Sequence, residues 1–381
     1  MRYIELFSGS GGGILAHSVL HGHRLVAAAE WLHYGREVLT RRQADGVLPR
    51  FNMYNDVQEM DGSRYTGVDM LAGGFPCQGL SLAGRKKWLD DPRSALVWHM
   101  LRIAAEAQPR YIFAENSPNL RTKGLHLIVP ELQRMGYSRI AWCVVGANDL
   151  GAYHQRNRMW LLAKRGGPPF IHKWGDPEKT PACGLLVGNT LTALKKDILG
   201  ISGVSVRNTL PTLICSDARA SGNRPDPTLW SLSDRLGLTN KAGRLKRLPT
   251  LTASDYRGAW EGEGLERQLA KRSKPLRDML PYIIGGVGKV INPQWAEWFM
   301  GWPVEWTNIE AHITQAHLNR WRTKVLSDRY WEPAVEKTVL PATLPSSRDA
   351  DHQKNRIIAL GNGQVPVVAA TVFDALKGLL G

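Results

Sequence analysis

The segment 3-YIELFSGSGGGILAHSVL-20 joins a short apolar run to a glycine turn and then to a second apolar stretch. The run Tyr3 to Phe7 is short enough for a strand, and the stretch from about Ile14 to Leu20 is expected to be helical. Small residues between them allow a backbone to approach a ligand at the N-terminus of a helix. The segment therefore predicts the first strand, turn and helix of an α/β sheet.

The same alternation continues along the first part of the chain, through Leu25 to Ala29 and as far as Trp160 to Ala163. Short apolar runs that alternate with helical patterns are typical of a doubly wound sheet. After Arg165, the sequence 166-GGPPF-170 opens a region rich in glycine, proline, threonine, serine and arginine, where we place a domain boundary. We predict a larger domain at 1–168, completed by 352–381, and a smaller domain with a hinge at 169–351.

The length of 381 residues and the hydrophobic share of 43% suit a globular chain of roughly two domains, at about 100 to 200 residues each. No run of about 18 apolar residues occurs, and the first residues lack the basic-then-apolar pattern of a signal peptide. We therefore expect a cytoplasmic protein that does not use a membrane.

Cysteine spacing bears on metal sites and disulfides, and charge bears on the binding partner. The four cysteines show no Cys-x-x-Cys spacing and no companion His-x-x-x-His, so we predict neither a metal site nor a disulfide framework. One cysteine is free to be reactive. The chain has 49 Lys plus Arg against 34 Asp plus Glu, a net charge of +15. Residues 201–290 alone hold 15 basic and 8 acidic residues, which indicates a nucleic-acid partner.

Two further patterns lie in the second half of the chain. The sequence 210-LPTLICSDAR-219 is echoed by 248-LPTLTASDYR-257, either as a reused turn capped by Asp217 or Asp255 or as a pair of loops that touch a substrate. An aromatic stripe at three-, four- and seven-residue spacing is typical of a buried helix face ended by a Gly and a Pro. Its members are Trp295, Trp298, Phe299 and Trp302.

The strand ends after the glycine turn favour a cofactor that contains adenosine. Glu30 can accept hydrogen bonds from both ribose hydroxyls while Trp31 stacks on the adenine ring, and Asp56 and Val57 offer an acceptor for the amino group beside an apolar contact. The pattern Gly11-x-Gly13-x-x-Ala16 also fits a dinucleotide fingerprint, so a nicotinamide enzyme is an alternative.

The loop 73-GGFPCQGLS-81 places Cys77 at the predicted carboxyl end of a strand, where a thiolate can be partly exposed and nucleophilic. Three later segments accompany it: 115-ENS-117, 154-HQRNR-158 and 361-GNGQVP-366. A carboxylic acid such as Glu115 can donate a proton to a ring nitrogen. Because alternate residues of a strand share a face, Arg156 and Arg158 are both expected to face the site.

In this order, the motifs resemble those of the cytosine-5 DNA methyltransferase family, bacterial or phage type. The likeness extends over most of the chain, and seven ordered motifs make it specific. They are the Phe-x-Gly-x-Gly-Gly turn, Glu30-Trp31, Asp56, Pro76-Cys77-Gln78, Glu115-Asn116, the Arg-x-Arg pair and Gly361-Asn362.

The resemblance implies a Rossmann-like domain that binds S-adenosyl-L-methionine and a smaller target-recognition domain that reads double-stranded DNA. Cys77 would attack carbon 6 of a flipped cytosine, Glu115 would bind ring nitrogen 3, and Arg158, supported by Arg156, would hold the carbonyl oxygen. The implied cofactor-binding residues are Phe7, Gly9, Gly11, Gly12, Glu30, Trp31, Asp56, Val57, Pro76 and Asn362. The expected DNA contacts are Gln78, Ser81, Arg219 and Arg257.

Other functions fit the sequence less well. A nicotinamide oxidoreductase gives no role to Pro76-Cys77-Gln78. An RNA methyltransferase of the same fold would share the chemistry, but the chain lacks the Cys-Phe-Thr segment of the transfer-RNA members. A silent DNA-binding protein would not need Cys77 and Glu115. We expect a monomer, and a free-standing modification enzyme, a restriction partner and a phage protector would share this sequence.

Overall fold

The computed structural model describes residues 1–76, 96–152, 154–173, 250–257, 276, 290–327, 330–331, 343–344 and 350–381. Several predicted features therefore lie outside the described residues, including the first copy of the echo and most of the basic region. The predicted site residues outside them are Cys77, Gln78, Ser81 and Arg219.

Eight strands form one sheet in the order β3-β2-β1-β4-β5-β7-β6-β8. All neighbours run parallel except at β7, which is antiparallel to both β5 and β6. The order reverses between β1 and β4, and such a switch point is where open α/β sheets bind their ligands. The strands are β1 Arg2–Leu6, β2 Arg24–Ala29, β3 Asn52–Tyr54, β4 Met70–Gly74, β5 Tyr111–Asn116, β6 Arg139–Val145, β7 Arg158–Lys164 and β8 Phe170–Lys173.

Helices cover both faces of this sheet. The described α-helices are α1 Gly12–Ile14, α2 His33–Ala44, α3 Leu96–Ala107, α4 Leu120–Lys123, α5 Leu125–Arg134, α6 Pro293–Phe299, α7 Gln315–Val325, α8 Ala350–Asn362 and α9 Pro366–Leu380. Helix α1 continues as a π-helical turn at Leu15–Leu20, which agrees with the predicted helix. A separate ribbon pairs β9 Val290–Ile291 with β10 Thr343–Leu344.

Alternating side chains of the strands supply two cores, one on each face of the sheet. Tyr3 and Phe113 belong to a core with α1, α2 and α9, whereas Ile4 and Ile112 belong to a core with α3 and α5. Because both faces are covered, the strands are apolar throughout instead of alternating with polar residues. The predicted doubly wound, Rossmann-like fold is confirmed.

The aromatic stripe is part of this core, although its helix ends earlier than its spacing suggested. Phe299 and Trp302 are buried, and Trp295 and Trp298 are half-buried. Helix α6 ends at Phe299, and Gly301 has a positive φ of 72°. Trp302 therefore enters the core from the turn after the helix.

Two findings bear on the division into domains, which stays a prediction. Strand β8 begins at Phe170, just beyond the predicted boundary, and pairs with β6 in the same sheet. Helices α6 and α7 lie within the predicted second domain but share the core of α1 and α9. The structure therefore joins residues 290–331 to the larger domain by direct packing.

The C-terminal helix returns to the sheet, as its amphipathic pattern suggested, and buries most of its length against the first core. The helical stretch Asp351–Leu380 is long and apolar enough to cross a membrane, but 67% of its most apolar window is buried inside the protein. Burial of this kind is the usual behaviour of a core helix.

Replacement of Leu376 by Ala should test the packing of α9. Leu376 is fully buried, and loss of such a side chain lowers the free energy of unfolding by about 2 to 5 kcal/mol. The exposed neighbour Lys377→Ala is the control, with an expected change of about 0.5 kcal/mol or less. Equal urea midpoints for the two variants would contradict this packing.

Candidate active site

The glycine turn after β1 has a backbone that few residues other than glycine adopt. Gly9 and Gly11 have φ values of 53° and 101°, and Phe7 also has a positive φ, 55°. A side chain with φ in this range is strained and is held there by its surroundings, often at a functional site. A Cβ at Gly9 would meet nothing within 4 Å, so the space above the turn is open.

Glu30 at the end of β2 holds this turn in place. Its carboxylate oxygens accept from Gly9 N at 2.6 Å and Leu32 N at 2.7 Å, and only 7% of the residue is exposed. Burial raises the pKa of Glu30, while the two backbone N–H groups lower it. The next residue, Trp31, is 72% exposed, so its ring is free to stack on a ligand.

Asp56 and Val57 follow β3 along the same edge of the sheet. The half-buried Asp56 accepts from Gln58 N at 2.9 Å and begins a 3₁₀ turn, while Val57 is buried. Asp56 thus has the local role of a cap, and its second carboxylate oxygen is available to a ligand.

Pro76 is the last described residue before Cys77, at the carboxyl end of β4. The amide of Asn116 donates from Nδ2 to Phe75 O at 3.0 Å and fixes the start of this loop to β5. Asn116 is buried, so its side chain serves the loop instead of contacting solvent. The predicted nucleophile therefore follows a firmly anchored strand end.

Glu115 and Arg158 form an ion pair beside that loop. Arg158 Nε lies 2.9 Å from Glu115 Oε1, and the side chains are 29% and 13% exposed. A Cβ at Gly74 would lie 2.5 Å from Glu115 Oε2, so the carboxylate covers the end of β4. The structure thus brings together two of the predicted catalytic residues, both within reach of a ligand.

Arg156 points elsewhere, which differs from the expectation that both arginines face the site. It precedes β7 and has a positive φ of 39°, so strand alternation does not apply to it. Arg156 Nη1 donates to Leu251 O at 2.9 Å, and Nη2 donates to Gly361 O at 2.9 Å and Gly363 O at 2.5 Å. This buried guanidinium ties the Gly361–Gly363 turn to residue 251.

Gln364, in the segment after α8, lies against both the glycine turn and the end of β4. A Cβ at Gly12 would lie 2.8 Å from Gln364 O. A Cβ at Gly13 or at Gly74 would lie 3.1 Å from the Gln364 side-chain amide. Gln364 therefore connects the glycine turn to the Glu115 side of the site. Asn362, the predicted cofactor contact, is exposed at the end of α8.

Two tryptophans that the sequence analysis assigned no site role support the turn. Trp306 Nε1 donates to Ser10 O at 2.7 Å, and Trp302 Nε1 donates to Gln364 O at 2.8 Å. Both side chains are fully buried. The spacing of the aromatic stripe indicated a core position for Trp302, and no sequence signal marked either tryptophan as a support for a ligand-binding turn.

Residues 1–198 match the family model of the C-5 cytosine-specific DNA methylases. The chain belongs to this family. The family resemblance is thus confirmed, and the glycine turn, Pro76-Cys77-Gln78 and Glu115-Asn116 lie within the matched residues.

The chain is similar to type II methyltransferases of viruses and bacteria. It is 32% identical over 166 residues to M.CviJI of Paramecium bursaria Chlorella virus IL3A, which covers 43% of each chain. It is 30% identical over 169 residues to M.HhaI of Haemophilus parahaemolyticus, which covers 43% of this chain and 49% of the relative. The chain therefore matches less than half the length of either relative.

Solved methyltransferase structures share the fold over the whole chain. The Entamoeba histolytica methyltransferase EhMeth aligns with a TM-score of 0.52 at 14% identity, covering 100% of this chain and 99% of that one. The S. pombe Dnmt2 methyltransferase aligns with a TM-score of 0.51 at 16% identity and the same coverage. At these identities the likeness establishes the fold alone.

In this methylase-family chain, the second copy of the echo is a capped turn. Asp255 Oδ2 accepts from Thr252 N at 2.7 Å and from Thr252 Oγ1 at 2.9 Å, which supports the capping interpretation for this copy. A Cβ at Gly361 would overlap the Thr252 and Ala253 backbone, so the turn packs closely on α8. Arg257 is exposed over the Tyr256 ring.

His154 precedes the arginine pair, and the structure gives it a packing role. It is fully buried, its ring lies 4.4 Å from that of Phe299, and Nε2 is 3.0 Å from Phe299 O. Burial and the nearby Arg156 lower the pKa of His154 to about 3, so the ring is neutral at physiological pH.

Glu5 lies beneath the glycine turn, and burial of its carboxyl group changes the pKa of that group. Only 2% of the residue is exposed, and a Cβ at Gly13 would overlap its carboxyl group. Among the described residues, no group donates a hydrogen bond to Oε2. Burial raises the pKa of Glu5 to about 8, so the carboxyl group is mostly protonated at neutral pH.

Replacement of Glu5 by Gln should remove a pH dependence of stability. Because the carboxyl pKa rises from about 4.5 in the unfolded chain to about 8 in the folded chain, wild-type stability should fall between these pH values. The scale is about 1.4 kcal/mol per pKa unit, so the loss relative to Glu5→Gln should reach a few kcal/mol.

Urea unfolding from pH 4.5 to 8.5 measures this loss, with the exposed Glu59→Gln variant as the control. Parallel stability curves for wild type and Glu5→Gln would show that the folded protein does not hold this proton.

Proposed function

We propose that the protein is a DNA (cytosine-5)-methyltransferase that acts on a flipped cytosine within a specific short duplex sequence. The observation that carries this proposal is the Glu115–Arg158 pair, 2.9 Å apart at the carboxyl edge of the sheet. A carboxyl group and a guanidinium so placed complement the ring nitrogen and carbonyl oxygen of one cytosine. Glu115 lies against Gly74, three residues before Cys77 in the sequence.

The donor of the methyl group would be S-adenosyl-L-methionine, which supplies an electrophilic methyl when bound. The residues present suit it: the glycine turn leaves open space at Gly9, and Trp31 offers an exposed ring. Glu30 has further lone pairs for ribose hydroxyls. Asp56 and Val57 would hold the adenine edge, while Phe7, Gly11, Gly12, Pro76 and Asn362 would complete the pocket.

The chemistry would begin with the Cys77 thiolate, which forms a bond from sulfur to carbon 6 of the cytosine. Glu115 would protonate or hydrogen-bond ring nitrogen 3, which takes up one electron pair of the ring and leaves a C4–C5 double bond whose carbon 5 is nucleophilic. Any proton given to nitrogen 3 would return to Glu115 when the ring is restored. Carbon 5 takes up the methyl group, a base removes the hydrogen at that carbon, and the thiolate leaves. Arg158 would hold the carbonyl oxygen, and Arg156 would position the supporting turn.

Carbon 6 cannot be reached inside a stacked duplex, so the proposed reaction requires that the cytosine be flipped out of the helix. The basic residues of 201–290 would contact phosphates and read bases, together with Gln78 and Ser81 beside the catalytic loop. We propose that the enzyme works as a monomer in the cytoplasm of a bacterial cell or a phage-infected host.

Methyl transfer from labelled S-adenosyl-L-methionine to mixed-sequence duplex DNA, mapped at base resolution, tests this function. Wild type should methylate carbon 5 within one short sequence. Cys77→Ala should abolish transfer, because it removes the nucleophile, and Glu115→Gln should slow it by about 100- to 10,000-fold.

Cys183→Ala, which removes a cysteine with no proposed role, is the matched control and should leave transfer unchanged. Transfer to RNA but not to DNA would show that the substrate is RNA and not DNA. Full activity of Cys77→Ala would contradict the mechanism.

Arg219 and Arg257 hold equivalent positions in the echo, and we expect both to contact DNA phosphates. Replacing either by Ala should weaken DNA affinity and reduce the slope of log affinity against log salt by about one. Fluorescence anisotropy between 50 and 200 mM salt measures both quantities, with Arg134→Ala on the outer side of α5 as the control. Unchanged affinity and slope would show that these arginines do not contact DNA phosphates.

A further inference from the structure

Three histidines that the proposed function does not use lie together at the end of the α1 segment. They are His17, His21 and His23, and one ring nitrogen of each lies within 4.8 Å of those of the other two. His17 is 1% exposed, and the other two are partly buried. The prediction of no metal site rested in part on the absence of a companion His-x-x-x-His, but His17 and His21 have that spacing.

The π-helical turn at Leu15–Leu20 brings these side chains together. His21 N donates to Ala16 O at 3.1 Å, and His23 N donates to His17 O at 2.8 Å. His21 is the C-cap of this turn, and His23 follows Gly22, whose positive φ of 69° turns the chain back toward His17. Single π-turns inside helices occur frequently at functional sites.

One ring nitrogen of each histidine has no hydrogen-bond partner among the described residues. Within the described part of the chain, no hydrogen-bond partner reaches the buried Nδ1 atom of His17, His21 or His23. A buried polar atom without a partner costs about 1 to 3 kcal/mol. A ligand shared by the three histidines would give these atoms a partner.

The opposite helix supplies a carboxylate at the same place. Asp374 Oδ2 on α9 lies 3.0 Å from His21 Nε2, which leaves His21 Nδ1 for another partner. A histidine that binds a metal usually donates its second ring N–H to a carboxylate in this way.

Two positive groups, the N-terminal amine and Lys377, lie near His23. Neutral rings keep a lone pair for a metal. The Asp374 carboxylate opposes the two nearby positive groups.

Aromatic packing accounts for part of the arrangement. The His17 ring lies 5.4 Å from that of Phe373 and 5.5 Å from that of Phe113, and it is stacked on His23 at an interplanar angle of 8°. Phenylalanine or leucine would fill this space without any unpaired nitrogen. Packing therefore explains the burial of the rings but not the choice of three histidines.

We propose that His17, His21 and His23 bind one divalent transition-metal ion of the zinc class, with Asp374 orienting His21. Imidazole nitrogens suit zinc, nickel and copper, and a tetrahedral zinc ion holds nitrogens about 3.4 Å apart at Zn–N bonds of about 2.0–2.1 Å. Small side-chain rotations from the present separations reach that geometry. Three protein ligands leave one position for water.

The ion would clamp α9 to the π-helical turn. Helix α1 begins at the glycine turn, and α9 begins just after Gln364, which contacts that turn. A link between this turn and the middle of α9, through His21 and Asp374, would hold the two elements that build the cofactor side of the site. The proposed metal site does not depend on the proposed methyl-transfer reaction.

Untagged protein stripped with a chelator tests the site, because a polyhistidine tag would itself bind the ions. Titration with Co²⁺ followed by visible absorption, and with Zn²⁺ by calorimetry, should give one ion per chain. Zinc at 100 times its dissociation constant should raise the Tm by about 3 °C.

Substitutions of the proposed ligands and of Asp374 test where the ion binds. His21→Gln and His23→Gln, in partly buried positions that spare His17, should each weaken binding at least tenfold, and Asp374→Asn should weaken it about 10- to 100-fold. His33→Gln, whose side chain is 77% exposed on α2, is the matched control and should bind like wild type. Absence of binding by wild type, or undiminished binding by His21→Gln and His23→Gln, would overturn the proposal.

Discussion

Close backbone contact between the glycine turn after β1 and the segment before α9 is the constraint on which the site depends. Gly12 has no room for a side chain because Gln364 O and the Trp302 ring occupy that space. This contact joins the beginning and the end of the chain. The Gln364 side chain then reaches the end of β4, so that one residue borders both the proposed cofactor pocket and the proposed catalytic pair.

Buried charges around this contact are neutralised by specific partners, which fixes the positions of the helices. Arg356 on α8 pairs with Glu297 at 3.1 Å and with Glu305 at 3.2 Å. Arg156 instead uses backbone carbonyls of two distant segments. Removal of one member of such a group leaves a buried charge without a partner, so each arginine holds its segments in one arrangement.

Much of the fold was predictable because it depends on local pattern. Apolar runs that are buried on both faces gave the strands, and glycines after β1 gave the turn, since steric limits on φ act within a few residues. The position of Asp255 as a cap was likewise one of two readings that local sequence offered. Arg156 was placed wrongly because strand alternation was applied to a residue that precedes the strand.

The sequence alone determined the family, the doubly wound class and the residues that could carry chemistry, because these depend on residue type and order along the chain. Tertiary structure decided which of them meet. Pairing of Glu115 with Arg158, the support of the turn by Trp302 and Trp306, and the gathering of three histidines against Asp374 join residues far apart in sequence. Such contacts arise from packing of whole elements, which no local spacing encodes.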